Sequence, residues 1–173
     1  MVAEGKGANK EAECARIFWR IYGDHVAETD DFRRKREEGG PNPLLNYGYA
    51  VLLSTILQQL FAVGLDPTFG ISHVVRERST PLAYDLMEPF RPCVDWRVAE
   101  WIRKDAGNEA AGVTKEFRQW ITEFPLEKVD WLELELDVRG VMEGVVRSFR
   151  QALVKKQSGS YKPWTRTRTK WAG

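Results

Sequence analysis

Two carboxylates and a histidine near the middle of the chain have the types and spacing that metal-assisted chemistry uses. Asp85 and Glu88 lie three residues apart in a predicted helix, so both carboxylates lie on one face of it. His73 precedes them, whereas the only other histidine, His25, lies in a charged connector and is predicted to be a surface residue. One imidazole with carboxylate oxygens can bind Mg²⁺ or Mn²⁺. Spacing alone does not distinguish such a site from a solvated helix face.

Arginines flank these residues on both sides. Arg76 and Arg78 lie between His73 and the predicted helix, and a guanidinium can bind a phosphate through two parallel hydrogen bonds. These arginines are therefore candidates to bind a phosphate of a substrate. Arg91, just after the acid pair, has two interpretations of equal weight. It either contacts a phosphate of the substrate or makes a structural ion pair or helix-end contact.

The C-terminal segment 155–173 differs in charge from the rest of the chain. It carries six basic residues and no acid, whereas the remainder has 20 basic and 25 acidic residues, a formal charge of −5. Trp164 and Trp171 lie among these charges, and such a mixture suits phosphate contact with base stacking. A frayed, solvated terminus explains the composition equally well. The candidate phosphate-binding residues of this tail are Lys162, Arg166, Arg168 and Lys170.

The elements that position these residues are predicted to be helical throughout. Apolar residues recur at helical spacing, and no segment shows sustained strand alternation. We therefore predict one all-α, bundle-like domain over 1–154, followed by the basic tail 155–173. Its helices are predicted at 9–22, 42–63, 81–102 with a disturbance at Pro89, 109–124 and 130–154.

Local signals refine the helix starts. Asn42 is predicted to be the N-cap of its helix with Pro43 at the first helical position, and Thr80 with Pro81 repeats this pattern. Acidic residues flank the basic run 33–36, which is therefore predicted to be a solvated loop. The first helix is predicted to bury one apolar stripe, formed by Ala15, Phe18, Trp19 and Tyr22.

Composition excludes several classes of protein. Apolar residues make up 43% and charged residues 29% of the 173 residues, which is typical of a globular domain. Cys14 and Cys93 lack metal-site spacing and are predicted to be reduced, structural thiols. No apolar stretch approaches the roughly 20 residues of a membrane span. The polar N-terminus lacks a secretory signal, so we expect a cytoplasmic protein without a membrane partner.

Several strings of this sequence resemble a known family. They are NPLLNYGYAVL at 42–52, GLDP at 64–67, GISH at 70–73, LAYDLMEPFRP at 82–92 and, upstream, EAECARIFW at 11–19. In order and spacing they resemble the CRISPR-associated integrase family called CRISPR-associated protein one. The resemblance covers about residues 10–150 and implies the helical catalytic domain of that family.

The resemblance also implies a set of metal ligands. Carried over by position, they are Glu11, His73 and Glu88, with Asp85 as a further ligand or a neighbour that supports one, and with Mg²⁺ or Mn²⁺ as the ion. Glu13 is the alternative to Glu11, although Glu11 keeps the spacing of the motif. Tyr47 and Tyr49 belong to the matching segment, and either hydroxyl is a candidate to reach the site.

The function implied by the resemblance is CRISPR spacer integration, with an associated DNA endonuclease activity. The 3′-hydroxyl of a short DNA would attack a phosphodiester at a CRISPR repeat, so the partners would be spacer DNA and repeat DNA, both double-stranded. Two alternatives stay open: a non-catalytic helical DNA-binding or assembly module, and a mobile-element integrase of the same family.

Family members typically begin with a β-rich domain that forms the homodimer and docks a small partner protein. Here only ten residues precede Glu11. The chain is therefore expected to be a natural short form or an excised catalytic domain. In either case we expect a homo-oligomer on DNA. If the docking domain is missing, the small partner protein is one component that we expect to be absent.

Overall fold

The computed structural model describes residues 4–24, 32, 34, 39–71, 80–104 and 112–165, with the side chains of 4–9 and 11 excepted. The described part is mainly helical and contains one small two-stranded sheet, which confirms the predicted all-α class. Its main elements are α1 (Glu4–Tyr22), α2 (Asn42–Ala62), α3 (Pro81–Met87), α4 (Arg91–Lys104), α5 (Lys115–Thr122), β1 (Lys128–Trp131), β2 (Leu134–Asp137) and α6 (Val138–Lys155). Short 3₁₀ turns lie at Glu88–Phe90, Phe124–Leu126 and Ser158–Ser160.

Helix α2 forms the centre of the domain. It contacts α3, α4, α5 and α6, and its fully buried residues Leu45, Leu52, Ile56 and Leu60 recur at helical spacing. Gly48 lies where α2 approaches α4, and a Cβ atom at that position would overlap the side chain of Val94. The absence of a side chain therefore allows the close packing of these two helices.

The disturbance predicted at Pro89 is confirmed. Proline has no backbone N–H and disrupts a continuous helix, and here a 3₁₀ turn at Glu88–Phe90 separates α3 from α4. Phe90 of this turn is fully buried, whereas Glu88 is exposed. The turn thus anchors itself in the core and presents one carboxylate at the surface.

The helix predicted over 130–154 is wrong at its start. Residues 128–137 form an antiparallel hairpin in which Lys128 pairs with Asp137 and Trp131 pairs with Leu134. Leu132 and Glu133 form its turn with φ values of 50° and 65°, a region that few non-glycine residues adopt, so the usual turn signal was missing. Helix α6 begins only after Asp137, whose carboxylate accepts a 2.6 Å hydrogen bond from the Gly140 N–H.

The predicted caps differ from the observed ones. Pro41 is the N-cap of α2, and Asn42 is its first helical residue, buried and bonded elsewhere. Thr80 does precede α3 with Pro81 at its start, but its side chain makes no capping hydrogen bond. Helix α5 begins at Lys115 rather than near 109, and Thr114 caps it by accepting a hydrogen bond from the Phe117 N–H.

The stripe predicted along the first helix is buried only at its C-terminal end. Tyr22 is buried and Trp19 half-buried, whereas Ala15 and Phe18 are exposed. Cys14, on the same helix, is also exposed, so it is not the structural thiol predicted.

The prediction of a structural thiol does hold for Cys93, which is buried and forms no disulfide.

Within the described ranges, no helix is long and apolar enough to cross a bilayer.

The first part of the basic tail packs onto the domain. Trp164 is 2% exposed, its ring stacks on Phe90 at 4.9 Å between centroids, and its indole N–H donates to the Asp130 carbonyl at 3.0 Å. Tyr161 packs edge-on against Phe149. The base-stacking role predicted for Trp164 is therefore wrong, because its faces are covered. Trp171, Arg166, Arg168 and Lys170 lie outside the described residues.

Candidate metal and DNA site

Glu88 lies on the surface at the junction of α3 and α4. Its side chain is 43% exposed, and both of its oxygens accept hydrogen bonds from Nη1 of Arg91, at 2.9 and 3.1 Å. Arg91 is therefore in an ion pair, one of the two roles expected for it. The Glu88 side chain therefore remains partly accessible to a ligand.

Asp85 lies one turn before Glu88 and contacts the chain that leads to His73. Its Oδ2 atom accepts a 2.5 Å hydrogen bond from the backbone N–H of Ile71, two residues before the histidine. A second tether joins the same segment to α3, because the Leu82 N–H donates to the Pro67 carbonyl at 3.1 Å. Asp85 and α3 are thus bonded to the last described residues of the segment that continues to His73.

Several of the other predicted site residues have no described side chain. His73, Arg76 and Arg78 are not described, and Glu11 is described only as a helical residue of α1. Glu13, the alternative ligand, is exposed on that helix. Among the side chains that the structure describes, no three metal-binding groups come together. The assignment of Glu11, His73 and Glu88 as ligands therefore stays a prediction.

The guanidinium of Arg91 packs on an aromatic ring. Its guanidinium carbon lies 4.6 Å from the centroid of Tyr49, within the range of a cation–π contact. Its Nε–H is buried and has no hydrogen-bond partner within the described ranges, a condition that costs about 1–3 kcal/mol. The stack on Tyr49 and the bond to Glu88 therefore set its position, rather than full hydrogen bonding.

Asp95 is a buried carboxylate beneath this surface, and sequence reasoning missed it. Its side chain accepts a short hydrogen bond from the Tyr49 hydroxyl, and its backbone carbonyl accepts one of 2.9 Å from the Tyr22 hydroxyl. Burial raises the pKa of Asp95 from 3.8 to about 6, although the Tyr49 bond and Arg91 oppose the shift. Burial likewise raises the pKa of both tyrosines.

A sequence signal for Asp95 did exist. It is the one acidic residue on the inward face of α4, next to Val94 and one turn from Val98, both fully buried. An acid at such a position needs a polar partner in the core. The Tyr49 hydroxyl, a candidate to reach the metal site, is instead bonded to Asp95.

Arg34 corrects the solvated-loop prediction for the basic run. Its guanidinium donates to the side-chain oxygens of Asn42 at 2.9 Å and Asn46 at 2.7 Å. It also lies 5.4 Å from the Tyr49 centroid and 5.7 Å from that of Trp19. Tyr49 therefore contacts two guanidinium groups, those of Arg34 and Arg91. The other residues of the run lie outside the described residues.

The sequence of the chain matches the profile of one known protein family. The sequence profile of the family described as "CRISPR associated protein Cas1" matches residues 8–127, which include every residue of the predicted metal site. The chain belongs to the Cas1 family. The resemblance seen in its motifs is thereby confirmed, and the match extends through α5.

Curated Cas1 proteins are similar to most of the chain. It is 30% identical to the CRISPR-associated endonuclease Cas1 of Korarchaeum cryptofilum over 171 residues, which cover 90% of this chain and 50% of that protein. It is 37% identical over 136 residues to a CRISPR-associated exonuclease Cas4/endonuclease Cas1 fusion of Leptospira interrogans, covering 73% and 25% of the two chains. This Cas1 chain thus spans half or less of the length of these relatives.

Solved structures share the fold. A casposase bound to integration product superposes with a TM-score of 0.74 at 24% identity, covering 94% of this chain and 50% of that one. A Cas1 protein from Thermotoga maritima gives a TM-score of 0.65 at 20% identity, covering 83% and 52%. At such identities these likenesses establish the helical fold of this Cas1 domain.

Proposed function

We propose that this chain is a DNA integrase domain that inserts short duplex DNA at CRISPR repeats, with an associated endonuclease activity. One observation carries the proposal: a carboxylate, Glu88, is presented at the surface by a turn whose Phe90 is anchored in the core. It lies within the segment that matches the Cas1 family and three residues after Asp85, whose carboxylate accepts a hydrogen bond from the Ile71 N–H.

The exposure of Glu88 supports the proposal that the site binds a divalent cation. The Glu88 side chain is 43% exposed, and carboxylate oxygens are the donors that Mg²⁺ and Mn²⁺ prefer. We propose that Glu11, His73 and Glu88 hold the ion and that Asp85 positions the backbone leading to His73. A cation bound there would stabilise negative charge on the scissile phosphate and lower the pKa of the attacking hydroxyl.

The proposed reaction exchanges one phosphodiester for another. The 3′-oxygen of the incoming strand bonds to phosphorus, and the bond from phosphorus to the target strand's 3′-oxygen breaks. The attacking hydroxyl gives its proton to solvent, and the departing 3′-oxygen takes a proton from solvent, so one 3′-hydroxyl replaces another. The number of phosphodiesters is unchanged, so no high-energy cofactor is needed. The chain's own part is to hold both strands in line.

Basic residues on both sides of the site would supply that hold. We propose phosphate contacts for Arg76, Arg78 and Arg91, and for the tail residues Lys162, Arg166, Arg168 and Lys170. Lys162 is the one tail member within the described ranges, and its side chain is exposed, with its ammonium donating only to the Gly159 carbonyl. An exposed ammonium can contact DNA without a change of fold.

A joining assay tests the proposal. A labelled duplex is incubated with a repeat-bearing plasmid and Mg²⁺ or Mn²⁺, and covalent products are sequenced at their junctions. We expect joining at repeat ends, lost in Glu11→Ala and His73→Ala. Joining that survives in both variants would refute the ligand assignment.

The same assay separates the alternatives. DNA binding without any joining would favour a non-catalytic assembly module, and junctions scattered outside repeats would favour a mobile-element integrase. Integration at both ends of a repeat needs two sites, so we propose a homo-oligomer on DNA. Light scattering after gel filtration, with and without duplex, tests it, and a strict monomer on DNA would contradict it.

A further inference from the structure

The contact between Glu88 and Arg91 raises a question about how a cation would reach the site. A carboxylate that accepts two hydrogen bonds from a guanidinium already has a positive partner. A divalent cation would need the same oxygens. Arg91 and the cation therefore compete for Glu88.

Besides its bond to Glu88, Arg91 has a second contact, with an aromatic ring. Its guanidinium stacks on Tyr49, whose hydroxyl is bonded to Asp95 in the core, so the ring under Arg91 is fixed. The ion pair itself is weak, because the Arg91 and Glu88 side chains are 41% and 43% exposed. Arg91 can thus leave Glu88 while the Tyr49 ring keeps it near the site.

We propose that Tyr49, fixed by Asp95, is a positioning residue that holds Arg91 on Glu88 as a replaceable counter-cation and then presents its guanidinium to a DNA phosphate. The inference rests on the proposed function for the identity of the site. Before the cation is bound, Arg91 neutralises Glu88. Once Glu88 binds the cation, the guanidinium loses its carboxylate and becomes available to DNA.

Metal binding to the full chain tests the first half without any DNA reaction. Calorimetric titration with Mn²⁺ should show about three- to fivefold tighter binding in Arg91→Ala, because its competitor is removed. Arg147→Ala is the matched control, since Arg147 pairs with Glu143 at 2.7 Å on α6, which contributes no residue to the proposed metal site. It should bind Mn²⁺ as the wild type does.

Tyr49 is tested by coupling to Arg91. Tyr49→Leu should tighten Mn²⁺ binding as Arg91→Ala does. It should add nothing in the double variant, because we propose that Tyr49 affects the cation through Arg91. Circular dichroism checks that Tyr49→Leu is folded. Should it not fold, Tyr49→Phe, which keeps the ring but loses the Asp95 bond, replaces it with a smaller shift in the same direction.

DNA affinity tests the second half. Fluorescence anisotropy with a short duplex lacking a repeat should show that Arg91→Ala weakens binding severalfold in Mn²⁺ and hardly at all in EDTA. An equal loss in both conditions, or unchanged or weaker Mn²⁺ binding by Arg91→Ala, would overturn this inference alone. Absence of Mn²⁺ binding to the wild type would overturn the metal site as well.

Discussion

The carboxylate of Asp85 accepts a hydrogen bond from the backbone N–H of Ile71, which lies 14 residues earlier in the chain. This contact joins the helix that leads to Glu88 with the segment that leads to His73. The bond supports the proposal that Asp85 is a positioning residue.

Replacing Asp85 separates a positioning role from a ligand role. Asp85→Ala removes the acceptor for Ile71 and should lower the joining rate about tenfold or more. Asp85→Asn keeps a side-chain oxygen that can accept the same bond and should retain most of the activity. Equal losses in both variants, measured as initial joining rates, would instead indicate that the charge itself is needed and that Asp85 is a ligand.

The buried carboxylate of Asp95 should make folding stability depend on pH. Its pKa is raised from 3.8 to about 6, so between these values the folded chain keeps a proton that the unfolded chain has lost. The free energy of unfolding therefore falls as pH rises through this window, by about 3 kcal/mol from this group.

Asp95→Asn removes this titration. Urea unfolding from pH 4 to pH 7 should show that the variant gains stability relative to the wild type as pH rises, and the gain should level off above pH 6. The charged and titratable groups around Asp95 are Tyr49, Tyr22, Arg91, Arg34 and Glu88, and all are shared by both proteins. A difference that does not change with pH would refute the raised pKa.

Trp164 should contribute to stability rather than to DNA contact. Trp164→Ala removes the stack on Phe90 and the bond to the Asp130 carbonyl, so it should lower the free energy of unfolding by about 3–5 kcal/mol. Leu134→Ala, at a side chain that is 59% exposed, serves as a control and should change it by less than about 0.5 kcal/mol. A Trp164→Ala variant as stable as this control would contradict the buried position.

The remaining tail is tested by truncation after Thr165, which leaves Trp164 in the core. The deletion removes Arg166, Arg168 and Lys170, so fewer counterions would be released on binding. The slope of log affinity against log salt should become shallower by about 2–3. An unchanged slope, measured by anisotropy at several salt concentrations, would favour the solvated-terminus interpretation.

The features that the sequence predicted correctly are those with local causes. Helix α2 follows from apolar residues at helical spacing. The break before α4 follows from Pro89, which has no backbone N–H to donate. These signals lie within one or two helical turns.

The features that could not be predicted depend on contacts between residues distant in sequence or on unusual backbone conformations. Tyr49 and Asp95 are 46 residues apart, so only the packing of α2 on α4 brings them together. Arg34 is bound by side chains from the start of α2, which a charge pattern cannot show. The hairpin turn uses Leu132 and Glu133 at positive φ, where glycine or asparagine is the usual signal.

The central claim is that the exposed carboxylate of Glu88 supports metal-dependent strand joining, and one comparison tests it most directly. Glu88→Ala and Glu143→Ala each remove an exposed glutamate paired with an arginine on its own segment. In Mn²⁺, we predict that Glu88→Ala abolishes covalent joining of a labelled duplex to a repeat-bearing plasmid, whereas Glu143→Ala joins at the wild-type rate. Equal joining by both variants would contradict the account.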